Sequence, residues 1–277
     1  MRIGLWQLEC VSGDFDGNLA KLVRGLEQAQ KERVEIVCFP ECYLTGYQDD
    51  EAIVRKHAFV ADSPQFMKLL DKTSRFDPTV IVGFFELRGG DIYNTAAVIH
   101  KGHVLGLYRK CTAFMPFEKQ GREFPVFERN GVKFGVVICS DGGYIEPTRI
   151  LALKGAKIVF APHYNSITGK GVLGHFMHVR ADHIARATEN MVWFVRANSV
   201  APGKDTGITK YDGVNYGDSY IVDPFGEILI RSKRHKEDFL FADVDASQVD
   251  RNWKLGRSRW SFREFGKLMM EAMDETK

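Results

Sequence analysis

The most constraining feature of this 277-residue chain is a set of continuous apolar runs of strand length: IGLWQL (3–8), VEIVCFPE (34–41), TVIVGFFEL (79–87), VKFGVVIC (132–139), KIVFAP (157–162) and MVWFVRANS (191–199). A strand with one wet face alternates apolar and polar residues, whereas an unbroken apolar run belongs to a strand covered on both faces. Between the runs lie amphipathic stretches of helical length. One spans about 19–31, one 63–74 with Ser63 as N-cap and Pro64 at the first helical position, one opens near Pro147, and one runs from about Val172 to Asn190. IYNTAAVIH and HVLGLYRK are further strands joined at Lys101-Gly102, a hairpin-like junction. In the last third, GDSYIVDPFGEILIRS and DFLFADVD read as short strands around a Pro-Phe-Gly turn. Alternating strands and helices with added hairpins imply an α/β fold with sheets held between helical layers. No low-complexity linker, charge block or long repeat divides the chain, so a single domain over 1–277 is expected, with the tail from about 246 along the surface or in an oligomer interface.

Lys and Arg total 38 against 36 Asp and Glu, a formal charge of +2, which supplies no electrostatic reason to expect nucleic acid or a membrane surface as partner. A small-molecule substrate is the simpler expectation. The opening MRIGLWQLEC reaches an acidic residue too early for a signal peptide, and no apolar run approaches a membrane span. Cytoplasmic location follows as an expectation. Five scattered cysteines, Cys10, Cys38, Cys42, Cys111 and Cys139, argue against a disulfide framework and for a reducing compartment. Cys38 and Cys42 have no matching ligand pair downstream, so no metal is expected. His175, His178 and His183 spread over a broad arc of their helix and read as solvated or hydrogen-bonded residues.

Three apolar runs end on a reactive side chain: FPE on Glu41, YRK on Lys110 and VVIC on Cys139. Strand ends are where ligands meet the sheets of α/β folds. Taken singly, each has an ordinary reading: Cys139 as a packed core thiol, Glu41 as a loop carboxylate, Lys110 as an edge lysine. Together they make a nucleophile, a base and a cation. Cys139 is followed by Ser140-Asp141-Gly142-Gly143 and a helix start, so nearby backbone N–H groups and the helix dipole are expected to favour its thiolate. Burial raises a carboxylate towards base strength, a neighbouring ammonium lowers a thiol, and the same ammonium can stabilise an oxyanion.

FPECYLTGY (39–47), LYRKC (107–111), VVICSDGGYIEPTRILALKGA (136–156) and GDSYIVDPFGEIL (217–229) together resemble, in order and approximate spacing, the four sequence blocks of the nitrilase superfamily of carbon-nitrogen hydrolases. The resemblance runs from the first strand to about residue 245. It implies a four-layer α-β-β-α sandwich and a catalytic Glu41-Lys110-Cys139 triad. It also implies a second carboxylate between the lysine and cysteine blocks, for which Glu118 is the better match and Glu123 the lesser. The backbone N–H of Ser140 would be the second oxyanion donor, and Tyr47, Tyr144 and His163 are candidates for the substrate pocket. The implied reaction cleaves a non-peptide carbon-nitrogen bond of a small amide or N-carbamoyl compound through a cysteine thioester, without metal or organic cofactor. A nitrile substrate or an inactive binding protein of the same fold are the alternatives. A homodimer or larger homo-oligomer is expected by analogy. The chain departs from the family pattern at Ser140, where a bulky residue is usual, at Tyr144-Ile145-Glu146, where aromatic-Pro-Glu is usual, and at Cys111-Thr112 after the lysine. These departures bear on the pocket, not on the triad.

Overall fold

The computed structural model describes residues 1–168, 170–201, 213–249 and 261–274. In chain order the elements are β1 (Arg2–Gln7), α1 (Phe15–Lys31), β2 (Ile36–Cys38), α2 (Glu51–His57), α3 (Pro64–Thr73), β3 (Thr79–Arg88), β4 (Asp91–His100) and β5 (His103–Arg109). There follow β6 (Val126–Arg129), β7 (Val132–Val136), α4 (Ile145–Leu153), β8 (Ile158–His163), β9 (Ser166–Thr168) and α5 (Val172–Asn190). The last are β10 (Trp193–Asn198), β11 (Gly213–Asn215), β12 (Tyr220–Val222), β13 (Ile228–Arg231), β14 (Asp238–Asp243) and α6 (Phe262–Asp274). A short 3-10 turn, Cys139–Gly143, links β7 to α4.

Two sheets of six strands face each other, in orders β14-β1-β2-β3-β4-β5 and β13-β12-β10-β8-β7-β6. Each is parallel at its centre and antiparallel at its flanks: β1, β2 and β3 run together in one, β7, β8 and β10 in the other. The facing sides bury Ile3, Leu5, Ile36, Ile81, Ala96 and Val98 against Phe134, Val136, Ile158, Phe160, Val195 and Ile221. On the outer side of the first sheet, Leu19, Leu22 and Leu26 of α1 and Phe66 and Leu69 of α3 pack on Val37, Val80 and Val82. Outside the second, Leu151 and Ala152 of α4 and Ala187 of α5 pack on Val159 and Phe194. This is the four-layer α-β-β-α sandwich. It explains the unbroken apolar runs, since both faces of the central strands are dry.

The Lys101-Gly102 junction is a two-residue hairpin with both residues at positive φ (47° and 75°), the pairing that matches strand twist. Helix α1 begins at Phe15, four residues before its first leucine, because Asp14 caps it by accepting from Gly17 N at 2.9 Å. Helix α6 lies on the surface with no buried residue, and its Phe262 ring lies 5.0 Å from the Arg149 guanidinium of α4, so Arg149 is held by an aromatic face. The rest of the tail, 250–260 and 275–277, lies outside the described residues, as do Arg257 and Arg259. Among the described residues no helix is long and apolar enough to cross a membrane.

Candidate active site

Glu41 follows β2, Lys110 follows β5 and Cys139 follows β7, and the sandwich brings all three to one end. The two sheets are tied there by Glu41 N donating to His163 O at 3.3 Å. Lys110 Nζ donates to Glu41 Oε1 at 2.8 Å, with both side chains sealed from solvent. Asn94 Nδ2 donates to the same oxygen at 2.8 Å and Tyr164 N to Oε2 at 2.8 Å, so the carboxylate is locked by donors on two sides. A buried ion pair is tolerable only when its remaining polar atoms are also satisfied. Burial opposes the Lys110 charge, but Glu41 and the neighbouring acidic groups outweigh it and hold the ammonium well above its ordinary range.

Cys139 adopts φ 47°, a left-handed conformation that a side chain rarely takes, at the first residue of the 3-10 turn. Such strain persists where the surroundings over-determine it. Burial pushes the Cys139 thiol up to about 12, the Glu41 charge adds to this, and Lys110 and the Tyr164 N–H oppose it. The expectation of a resting thiolate is therefore corrected: the α-helical dipole starts only at Ile145, and desolvation beside a carboxylate dominates. The thiol carries its proton next to a base. Cys10, Cys38, Cys42 and Cys111 are likewise raised, chiefly by burial. An unfolded thiol ionises near about 8.5, so the fully buried Cys38 and Cys42 each favour the unfolded chain by up to about 1.4 kcal/mol per pH unit above that. Their stabilising contribution is complete below about pH 8 and lost as the pH rises. Urea midpoints should fall clearly between about pH 8 and about pH 10; an unchanged midpoint would refute protonated buried thiols.

Asp141 is the hub of the nucleophile turn. Fully buried, it accepts from Tyr108 Oη (2.6 Å), Ile138 N (2.9 Å), Thr112 N (2.8 Å), Thr112 Oγ1 (2.6 Å) and Cys111 Sγ (3.2 Å). It thereby ties the segment after Lys110 to the segment after β7. Ser140 Oγ adds a bond to Thr112 O at 2.9 Å. Asp141→Ala should cost about 2–3 kcal/mol by stranding several of these donors, seen as a lower urea midpoint; a change under about 0.5 kcal/mol would remove Asp141 from this role.

A cavity of about 520 Å³ opens onto Cys139 and Lys110. Tyr47 and Tyr164 stack on one another beside it, ring centroids 4.8 Å apart and nearly parallel. His163 also lines it, fully buried, with Nδ1 bonded to Ala161 O at 2.8 Å, and burial drives its pKa well down, leaving a neutral ring. Glu118 is buried, its Oε2 accepting from the cavity-lining Phe114 and Met115 N–H groups (3.0 and 3.4 Å), while Oε1 has no hydrogen-bond partner among the described residues. Burial raises the Glu118 pKa, and the nearby Lys110 opposes that rise. Glu123 is exposed.

Tyr144 is placed elsewhere than expected. The 3-10 turn carries it outward to the N-cap of α4, where it is 55% exposed and does not line the cavity. The α5 histidines are hydrogen-bonded or exposed, as expected, and they also line the cavity. Their arc is the face of α5 that closes the cavity: His175 bonds Tyr216 Oη (3.0 Å), His183 bonds Tyr220 Oη (2.8 Å), and exposed His178 lies beside Asp182. Asn94, Asp141, Tyr164 and Asn165 join the site without having been singled out by the sequence. A polar residue within an apolar strand, as Asn94 is, was the signal that could have found the first.

With this geometry in place, the chain can be set beside known proteins. The model of the carbon-nitrogen hydrolase family matches residues 2–253, and the chain belongs to that family. An (R)-stereoselective amidase from Pseudomonas sp. is 28% identical over 98% of this chain and 93% of its own length. A nitrilase from Pyrococcus abyssi is 30% identical, covering 83% of this chain and 84% of its own. Glutamine-dependent NAD(+) synthetase from Aquifex aeolicus is 28% identical over 96% of the chain, which spans only 46% of that longer protein. Among solved structures, a carbon-nitrogen hydrolase from Helicobacter pylori G27 superposes with a TM-score of 0.78 at 23% identity, over 94% of this chain and 95% of the other. An amidase from Nesterenkonia sp. gives 0.74 at 23% identity, over 93% of this chain and 95% of the other.

Proposed function

We propose that the chain hydrolyses the carbon-nitrogen bond of a small amide or N-carbamoyl compound through a thioester on Cys139. The observation that carries this reading is the buried Lys110–Glu41 pair, 2.8 Å apart, beside the Cys139 thiol where a cavity opens. Family membership supports it, and relatives named amidase and citrullinase fall in the same chemical class.

In the first step the Cys139 proton passes to Glu41 as sulfur attacks the carbonyl carbon. Lys110 and the Ser140 N–H hold the oxyanion, with the Lys110 donor already locked in position by Glu41 and so needing no reorganisation. The tetrahedral adduct collapses by breaking its C–N bond, and Glu41 returns the proton to the departing nitrogen. Water then gives a proton to Glu41 and adds to the thioester carbonyl; collapse breaks the C–S bond, releases the acid, and Glu41 returns its proton to the sulfur, restoring the thiol. Glu118, buried near Lys110, orients that lysine, while Tyr47 and His163 shape the pocket. No step calls for a metal or organic cofactor.

Ammonia release should be screened across short amides, ω-amides, N-carbamoyl amino acids and nitriles, with Cys139→Ala as control. Release from at least one amide or carbamoyl compound, lost in the variant, is expected. Release from nitriles alone would favour nitrilase chemistry, and release from nothing would favour a binding protein.

A further inference from the structure

Asn165 stands in the loop after β8, and its Nδ2 donates to Cys139 Sγ at 3.6 Å, a normal distance for a sulfur acceptor. Which end of an amide faces a partner follows from the partners around it. Here Asn165 Oδ1 receives Arg196 Nη2 at 2.5 Å, and a guanidinium can only donate. The carbonyl must therefore face Arg196, and the NH2 group must face the sulfur. Arg196 is itself immobile: it is fully buried in β10, donates to Gly217 O and Asp218 O, and reaches Tyr216 Oη at 3.2 Å. The Asn165 backbone is fixed as well, its N–H donating to Asn198 Oδ1 at 3.1 Å, while Asn198 Nδ2 holds Gly217 O at 2.5 Å. The GDS segment at 217–219 thus serves the site from a distance, since its backbone carbonyls anchor the arginine that orients the amide.

We infer that Asn165 is a catalytic hydrogen-bond donor to the Cys139 sulfur, and that Arg196 is the positioning residue that fixes its amide with the donor towards the sulfur. The inference rests on Cys139 being the nucleophile. Glu41 removes the thiol proton and Lys110 serves the oxyanion, so the negative charge forming on sulfur itself needs a donor of its own. An N–H aimed at sulfur binds thiolate more strongly than thiol and stabilises it during attack and again when the thioester is cleaved. Asn165 also lines the cavity, so the same NH2 group borders the substrate.

The test is the pH dependence of alkylation of Cys139 by iodoacetamide, followed by peptide mass, which requires no substrate and so does not depend on which amide is hydrolysed. Asn165→Ala should slow alkylation at about pH 8 by about tenfold and move the profile up by about one pH unit. Asn165→Asp, nearly isosteric, should slow it at least as much, because a carboxylate pairs with Arg196 and offers sulfur no donor. Arg196→Met should approach the Asn165→Ala profile and Arg196→Lys, which still only donates, should stay near wild type. Should Arg196→Met fail to fold, the two Asn165 variants and Arg196→Lys decide. Wild-type rates and profiles in both Asn165 variants would overturn the inference, even if amide hydrolysis by Cys139 stands; loss of alkylation at Cys139 in the wild type would instead undo the nucleophile assignment.

Discussion

Lys110→Met should lower turnover of any accepted amide by at least about a hundredfold and destabilise the fold by about 3–5 kcal/mol. The two effects have one source. Glu41 is wholly buried and its counter-ion is Lys110 at 2.8 Å, so an apolar side chain of similar length leaves a carboxylate with neutral donors such as Asn94 and the Tyr164 N–H and no cation to balance it among the described residues. Removing one partner of a buried pair is costly even when the pair as a whole adds little stability, because the remaining charge stays desolvated. The double variant Lys110→Met/Glu41→Gln should recover much of the lost stability while recovering no activity. Turnover and urea midpoints measured on the same preparations check both halves. A single variant with turnover within about threefold of wild type, or a double variant as unstable as the single, would contradict this reading of the pair.

Cys139→Ala should reduce turnover by more than about a thousandfold and leave stability within about 1 kcal/mol of wild type. The sulfur's contacts, among them the Asn165 amide, the Tyr164 N–H and Glu41, hold no structural element together, and alanine fills most of the same space at the same φ. Residual rate above about a thousandth would mean that water is activated directly, without a covalent step.

The architecture was legible because its central strands are dry on both faces, and continuous apolar runs such as TVIVGFFEL and VKFGVVIC record that directly in the sequence. The convergence of Glu41, Lys110 and Cys139 was legible because each stands just after a strand, although β5 before Lys110 is a half-exposed edge strand. The supports around them were not. Asp141 reads in sequence as one more turn aspartate, and only the folded chain shows Tyr108 and Thr112, about thirty residues away, converging on it. The state of Cys139 differs from expectation because the flanking segment suggests a helix N-terminus, whereas the chain winds a 3-10 turn first and buries the sulfur. The same turn moves Tyr144 away from the cavity. The histidines of α5 do span the broad arc their spacing gives, but that arc is the cavity wall, a fact set by how α5 lies over β10 and β12.

Covalent catalysis by converging strand ends is tested most directly by rapid acid quench of the wild-type protein during turnover of an amide that releases ammonia, followed by intact and peptide mass. The expected result is a mass increase equal to the amide minus ammonia, carried by the peptide containing Cys139 and erased by hydroxylamine. Continued ammonia release with no adduct on that peptide, or an adduct on Cys111 or Cys10 in its place, would contradict it.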